Sequence, residues 1–221
     1  MQNVIAIDGP SGVGKSSVSK FLAKALGWTY LDTGAMYRAV TLAWLRHGQT
    51  DALLTNDTWL QGLDLDFAEG KMLLQGARVG TAIRSPEVTR LVSKVAAVPN
   101  VRETLTRLQR QIASRKPCVL DGRDIGTVVF PDAFLKVFLT AAPKVRAQRR
   151  WLQLGGHESN MSLEEVLADQ LERDRQDSER ETAPLVKAED AWVVETDTLA
   201  QDQVVKHILS EAKRRLALHS E

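Results

Sequence analysis

The sequence predicts an α/β fold: a five-stranded parallel sheet with helices on both faces, carrying a small antiparallel β-rich insert and a short arginine-rich lid. Three observations predict it. Five short apolar runs, at residues 4–7, 29–31, 118–120, 135–139 and 192–195, have the length and composition of buried strands. Helical patterns lie between most of them, and strands that alternate with helices pack as a parallel sheet covered on both faces. Residues 63–83 depart from this rhythm. They alternate polar with apolar side chains and are broken at Glu69-Gly70 and Gln75-Gly76, which reads as antiparallel strands joined by tight turns. Ligands of parallel sheets sit beyond the carboxyl ends of the strands, so chemistry is sought there.

The first element is the run 4–7, followed at once by glycine, proline and serine. Val18, Phe21, Leu22, Ala25 and Leu26 then fall at helical spacing, and Gly27 supplies a helix stop. Between strand and helix, Gly9, Gly14, Lys15 and Ser16 fit the pattern G-x-x-x-x-G-K-[ST], the P-loop. The spacing has a physical reason. A loop that wraps a phosphate must turn successive backbone N–H groups toward it, and side chains would obstruct that approach. The helix that begins near Lys15 adds unsatisfied N–H groups and the positive end of its dipole. Lys15 brings a full charge to the β and γ phosphates, and Ser16 offers a hydroxyl to Mg²⁺. The motif points to a nucleoside triphosphate and leaves open what is done with it.

The second run leads into "LDTGAMYRAV". Asp32, Thr33 and Gly34 read as a strand-to-helix turn with Thr33 as N-cap, and Tyr37 and Arg38 fall on the first turns of the helix. A helix N-terminus with a nearby arginine makes a second anion site on the sheet edge that bears the P-loop. After the β-rich segment, residues 86–115 read mostly as helix. The third run ends in "DGRDIGTVVFPDA". There Asp121 closes the strand, where a carboxylate can hold the magnesium shell beside Ser16, and Arg123 and Asp124 leave the same edge. "RAQRRWLQLGG" places Arg146, Arg149 and Arg150 on one helical segment before a Gly155-Gly156 hinge. "ERDRQDSERETAPL" spaces Arg173, Asp177 and Arg180 four and three apart, on one helix face. Charge-rich helices are commonly solvated, but the bias to arginine suits bidentate contact with a transferring phosphate under a movable lid. Residues 199–218 read as a terminal helix.

Composition bounds the rest. With a formal net charge of +1, no global field draws the chain to nucleic acid or membrane, so basic function is local. No run approaches the ~20 apolar residues of a membrane span, and the N-terminus enters a strand without a basic or apolar leader. The expectation is a cytoplasmic monomer. The single cysteine, Cys118, excludes an internal disulfide and reads as a small buried hydrophobe. Absence of an N-K-x-D stretch argues against a GTP-dependent switch. Absence of a basic, aromatic-studded stripe argues against a nucleic-acid-associated ATPase. A kinase of some other small acceptor is the nearest rival, and arginines around a second anion site favour a phosphorylated acceptor.

Taken together, "IDGPSGVGKSS", "LDTGAMYR", "VAAVPNVRETL", "DGRDIGTVVFPDA", "RRWLQL" and "ERDRQDSER...APL" resemble the bacterial cytidylate kinases, within the nucleoside monophosphate kinase group of P-loop proteins. The resemblance spans nearly the whole chain. It implies transfer of the γ-phosphoryl of ATP to CMP or dCMP, with Mg²⁺. It implies that Gly9, Pro10, Ser11, Gly12, Val13, Gly14, Lys15, Ser16 and Ser17 hold the ATP phosphates, with Asp121 and Arg149 nearby and Ser16 on the metal. Thr33, Arg38 and Arg123 would hold the acceptor phosphate, with Tyr37 beside them. Ser93, Arg102, Asp177 and Arg180 would read cytosine and sugar, and Asp124 and Arg173 would reach the ribose. Lys15, Arg123 and Arg173 would be catalytic. Where relatives carry a serine this chain has Thr33, which keeps the hydroxyl; where they carry a further arginine it has Gln176. The same resemblance divides the chain into a core at about 1–32, 116–148 and 182–221, a monophosphate-binding insert at about 33–115 and a lid at about 149–181.

Overall fold

The structure, a computed structural model, describes residues 2–68, 71–158 and 160–218. All five expected strands are present: β1 (Gln2–Asp8), β2 (Thr29–Asp32), β6 (Cys118–Asp121), β7 (Ala133–Thr140) and β8 (Trp192–Glu195). They form one sheet in the order β2-β6-β1-β7-β8, with every pairing parallel. The apolar runs are continuous because both faces of the sheet are covered. Successive residues of β1 then serve two cores. Val4 and Ala6 pack with Leu31, Met36, Trp44, Leu105 and Leu120 on one side. Ile5 and Ile7 pack with Val18, Leu22, Leu135 and Ile208 on the other. Period-two alternation in a central strand produces this split. Cys118 is fully buried, and burial pushes its thiol up to about 11, so it stays a neutral apolar group.

Helix α1 (Lys15–Leu26) follows β1 and ends at Gly27, whose φ of 67° only glycine adopts without strain. The face it buries differs from the expected one. Lys15, Val18, Ser19, Leu22 and Ala23 are buried, whereas Phe21 is 55% exposed and Ala25 faces solvent. The helix is oriented by the loop before it. Lys15 must point into the sheet edge, and that turns Ser19 inward and Phe21 out. Helix α2 (Thr33–Arg46) begins at Asp32, not Thr33: the Asp32 carboxylate accepts the Ala35 N–H at 2.8 Å. The Thr33 hydroxyl is engaged elsewhere and leaves the cap to its neighbour.

The insert contains two short helices, α3 (Asp51–Leu54) and α4 (Asp57–Gln61), which the hydrophobic pattern did not announce. A three-stranded antiparallel sheet follows: β3 (Leu65–Ala68), β4 (Lys71–Leu74) and β5 (Ala77–Arg78). Gln75 and Gly76 link β4 to β5 with φ of 52° and 73°, the paired positive values of a two-residue hairpin turn. The expected Glu69-Gly70 turn lies outside the described residues. The helical stretch 86–115 is two helices, α5 (Pro86–Ala96) and α6 (Pro99–Ala113). Each opens on a proline, where the missing N–H costs no hydrogen bond.

After β6 the chain closes a wide helical turn at Ile125–Val129 before entering β7. Helix α7 (Pro143–Gln153) leads to glycines 155 and 156, both at positive φ, and then to α8 (Leu163–Glu179). Ser162 and Glu165 cap α8 reciprocally. Arg180 lies just past that helix in extended conformation, not on it as the spacing suggested. Helix α9 (Gln201–Leu218) packs against α1. Among the described residues no helix is long and apolar enough to cross a membrane.

Candidate active site

Because all five strands run parallel, Asp8, Asp32, Asp121, Thr140 and Glu195 end at one edge of the sheet. The P-loop rises from that edge. Gly9, Gly12 and Gly14 have φ of 143°, 80° and 93°. A β-carbon at Gly9 would lie 2.1 Å from the Leu139 carbonyl oxygen, so the loop approaches β7 closer than any side chain permits. Gly14 caps α1 without a side chain, which leaves the first N–H groups of that helix open toward solvent. Lys15 is buried and its ammonium donates to the carbonyls of Gly9 (2.7 Å) and Pro10 (2.6 Å). Burial, followed by the charge of Arg123, holds its pKa well below the usual lysine range. Ser17, next on α1 after Ser16, is exposed.

Oxygen atoms gather beside Ser16. Its hydroxyl donates to Asp121 Oδ2 at 2.6 Å, and the second Asp121 oxygen is buried beside the Tyr30 hydroxyl. Burial, with Asp32 in register on β2, pushes the Asp121 carboxyl up to about 6. A hydroxyl and a carboxylate suit a hydrated divalent cation, so the residues present fit Mg²⁺. Thr33 donates its hydroxyl to the Asp121 carbonyl at 2.6 Å and so fastens the start of α2 to the end of β6.

Six cations converge above these oxygens. Arg38 donates to Thr89 Oγ1 (2.8 Å) and the Ile83 carbonyl (3.3 Å). Burial, then the charges of Arg173, Arg84 and Arg150, lowers Arg38 to about 9. Arg173 is lowered to about 10 by burial and then by Arg123, and its buried Nε has no partner. Arg150 is lowered by burial and by Arg84. Cations from α1, α2, the insert, the loop after β6, α7 and α8 therefore face one space, where Arg84 is paired with Asp32 and Arg123 with Asp177, while Lys15, Arg38, Arg150 and Arg173 are held below their usual ranges and are poised for an anion.

Next to the cations lies a buried polar network. Asp177 accepts from Arg123 Nε at 2.8 Å and from Ser93 Oγ at 3.3 Å, with Arg180 3.9 Å away. Burial would raise its carboxyl, but Arg123, Arg173 and Arg180 outweigh that and hold it below the usual range. Asp124 is paired with Arg102, and Arg180 reaches it at 3.4 Å. Arg102 also lies over the Tyr37 ring, 5.4 Å from its centroid, and burial pushes the Tyr37 phenol up to about 12. Ser93, Arg102, Asp124 and Asp177 are all buried.

Comparison with known proteins accords with this geometry. A family model described as cytidylate kinase matches residues 5–214. The chain belongs to the cytidylate kinase family. Among its relatives, the cytidylate kinase of Fervidobacterium nodosum is 46% identical over 211 residues, covering 96% of each chain. That of Thermosipho melanesiensis is 45% identical, covering 97% of this chain and 98% of the relative. That of Corynebacterium efficiens is 48% identical, covering 93% and 92%. A solved structure of an uncharacterized protein from Eubacterium ventriosum matches with a TM-score of 0.58 at 13% identity, over 97% of this chain and 99% of that one, a likeness of fold alone.

Against this family background, the residues singled out from sequence fall into distinct places. Lys15, Ser16, Thr33, Arg38, Asp121, Arg123 and Arg173 surround the strand ends, and Tyr37, Ser93, Arg102, Asp124, Asp177 and Arg180 form the adjoining network. Arg149 donates to the carbonyl and hydroxyl of Thr196, just beyond β8, and the Thr196 hydroxyl reaches the P-loop at the Val13 carbonyl, 3.5 Å away. Gln176 is exposed and bonds Glu172 on its own helix at 2.7 Å. Sequence reasoning missed Asp8, whose two oxygens accept the N–H groups of Ile125 (2.9 Å) and Gly126 (2.7 Å) and so hold the loop that carries Arg123 and Asp124. It also missed Arg84 as one of the cations. The one available signal for Asp8 was its place, the last residue before the P-loop.

Proposed function

We propose that the protein transfers the γ-phosphoryl group of ATP to CMP or dCMP, giving ADP and CDP or dCDP. The observation that carries this reading is the adjacency, at one sheet edge, of the open P-loop, the convergent arginines and the buried Ser93–Asp177–Arg123 network. The P-loop residues Gly9 to Ser17 hold the triphosphate, with Lys15 against the β and γ phosphates. Arg38, Arg123 and Arg173 hold the acceptor phosphate, with Arg84 and Arg150 at its flank. Mutual repulsion among these arginines is relieved when two phosphate groups enter. That relief is greatest as negative charge builds on the transferring group, which favours the transition state over the substrates.

Ser16 and Asp121 would hold Mg²⁺, which would neutralise charge on the ATP phosphates. No covalent intermediate with the protein is required. An oxygen of the monophosphate attacks the γ-phosphorus in line as the bond to the β-bridging oxygen breaks, and the arginines hold both anions in place. Ser93, Arg102, Asp177 and Arg180 present paired donors and acceptors of the kind that an amide-edged pyrimidine completes. Buried polar groups left unpaired by the wrong base give discrimination of up to ~10⁴–10⁵, which suffices to separate cytosine from uracil.

Segments 33–115 and 149–181 act as the monophosphate-binding insert and the lid and close over the site, excluding water that would otherwise hydrolyse ATP. The test is incubation with Mg-ATP and a panel of nucleoside monophosphates. ADP should form with CMP and dCMP and not with AMP, GMP or no acceptor. ADP release that ignores the acceptor would overturn the reading.

A further inference from the structure

Helix α8 carries a polar stripe. Gln170, Arg173, Asp174 and Asp177 recur at i, i+3, i+4 and i+7, so all four lie on one face. That face is turned inward: Gln170 and Asp177 are 6% and 4% exposed. A helix that buries polar groups in place of apolar ones pays in desolvation and recovers it only through partners.

Two of the four have partners in the acceptor region. Asp177 holds Arg123 and Ser93, and Arg173 lies beside Arg123. The other two reach the P-loop. Asp174 Oδ1 accepts the Ser11 N–H at 2.9 Å, and Asp174 Oδ2 is paired with Arg146 of α7. The same Arg146 nitrogen donates to the Ser11 carbonyl at 2.9 Å, while its Nε holds the Ala141 carbonyl at 3.1 Å. The Ser11 peptide is thus gripped on both sides, by a carboxylate on its N–H and a guanidinium on its C=O. The next residue is enclosed as well. A β-carbon at Gly12 would lie 2.6 Å from Gln170 Nε2 and 3.2 Å from Arg146 Cβ. Arg146 and Asp174 side chains are 6% and 14% exposed, so their pairing is little screened by water.

We propose that Asp174 is a positioning residue that couples filling of the P-loop to the acceptor site. It fixes α8 on the Ser11 peptide, and α8 carries Arg173 and Asp177 in rigid register one position before and three after it. A shift of the loop when triphosphate enters therefore moves the acceptor residues with it. This inference rests on the function proposed above and adds a coupling device that the phosphate and base contacts alone do not require. A purely structural anchor would hold α8 in place yet leave the two sites independent. The coupling is a measurable free energy, and it is reciprocal.

The test measures CMP affinity by calorimetry, with and without a non-hydrolysable Mg-ATP analogue, in wild type and Asp174→Asn. Wild type should bind CMP at least about fivefold more tightly when the analogue is present, within the usual range for such coupling. In Asp174→Asn that ratio should fall below about twofold, with affinity for CMP alone kept within about threefold and the melting curve unchanged. Asparagine keeps an oxygen for the Ser11 N–H but removes the charge that Arg146 pairs with. A wild-type ratio near one, a ratio retained in the variant, or an equal loss of CMP affinity in both conditions would each overturn the proposal. If Asp174→Asn does not fold, Arg146→Gln decides on the same criteria, since it removes the guanidinium nitrogen that joins Asp174 to the Ser11 carbonyl. Failure of the wild type to make CDP from CMP would count against the function itself; a CMP-active wild type with uncoupled sites counts against the clamp alone.

Discussion

Lys15 sits buried with its ammonium on two carbonyls of its own loop and with cationic neighbours that depress its pKa. Those hydrogen bonds offset the cost of burying the charge. In the proposed function its use is the phosphate. Lys15→Ala is expected to lower kcat by about 10²–10³, the loss typical of one preorganised electrostatic contact, and to leave the thermal melt unchanged. Steady-state kinetics beside a melting curve checks both halves. Asp8 shows the reverse case, a residue no local pattern marks. Its partners lie 117 and 118 residues away, and only the fold brings them together. Burial raises its carboxyl from 3.8 to about 6. An acid raised in the folded state binds its proton there while the unfolded chain has already released it. Its contribution to stability is full below about 4 and lost as pH rises through about 6. Relative to Asp8→Asn, the wild type should therefore gain about 2 kcal/mol as pH falls from about 6 to about 4. Urea midpoints of both proteins across that range give the difference, and a constant difference would refute the assignment.

At the scale of elements, the sequence was most legible where one residue type meets one backbone demand. The P-loop glycines and the Gln75-Gly76 turn occupy positive φ, and Gly27 ends α1 in the left-handed region with nothing within 4 Å of an added β-carbon. Gly27→Ala therefore meets conformational strain and no clash. It should cost about 1 kcal/mol, seen as a lower denaturant midpoint with an unchanged slope. Helix faces were less legible. The periodicity of α1 included Phe21, which is exposed, because the P-loop sets the helix's rotation before hydrophobic pattern can. The Thr33 cap failed for a related reason: its hydroxyl is taken by the Asp121 carbonyl, a contact between residues 88 apart. The polar face of α8 looks solvated by composition, and it is buried because its partners come from the P-loop and the loop after β6.

Taken as a whole, the molecule places five strand ends on one edge and turns the loops that follow them into a single charged site. The near-neutral formal charge of +1 conceals this, since a net charge carries no information on where cations and acids are placed. Sequence alone recovered the five-stranded sheet and the small antiparallel sheet, and its motifs named most of the residues that the fold gathers at the strand ends. The ties among motifs, by Asp8 and Asp174, were invisible because they join positions with no shared period. The account's central claim is that one edge gathers two nucleotides phosphate to phosphate. Calorimetric binding of a bisubstrate analogue, adenosine and cytidine joined through five phosphates, tests it most directly. The prediction is one molecule per chain, bound at least ~10²-fold more tightly than ATP or CMP alone, as expected when both sites are engaged by a linker of fitting length. Binding no tighter than ATP, or two molecules per chain, would contradict the claim.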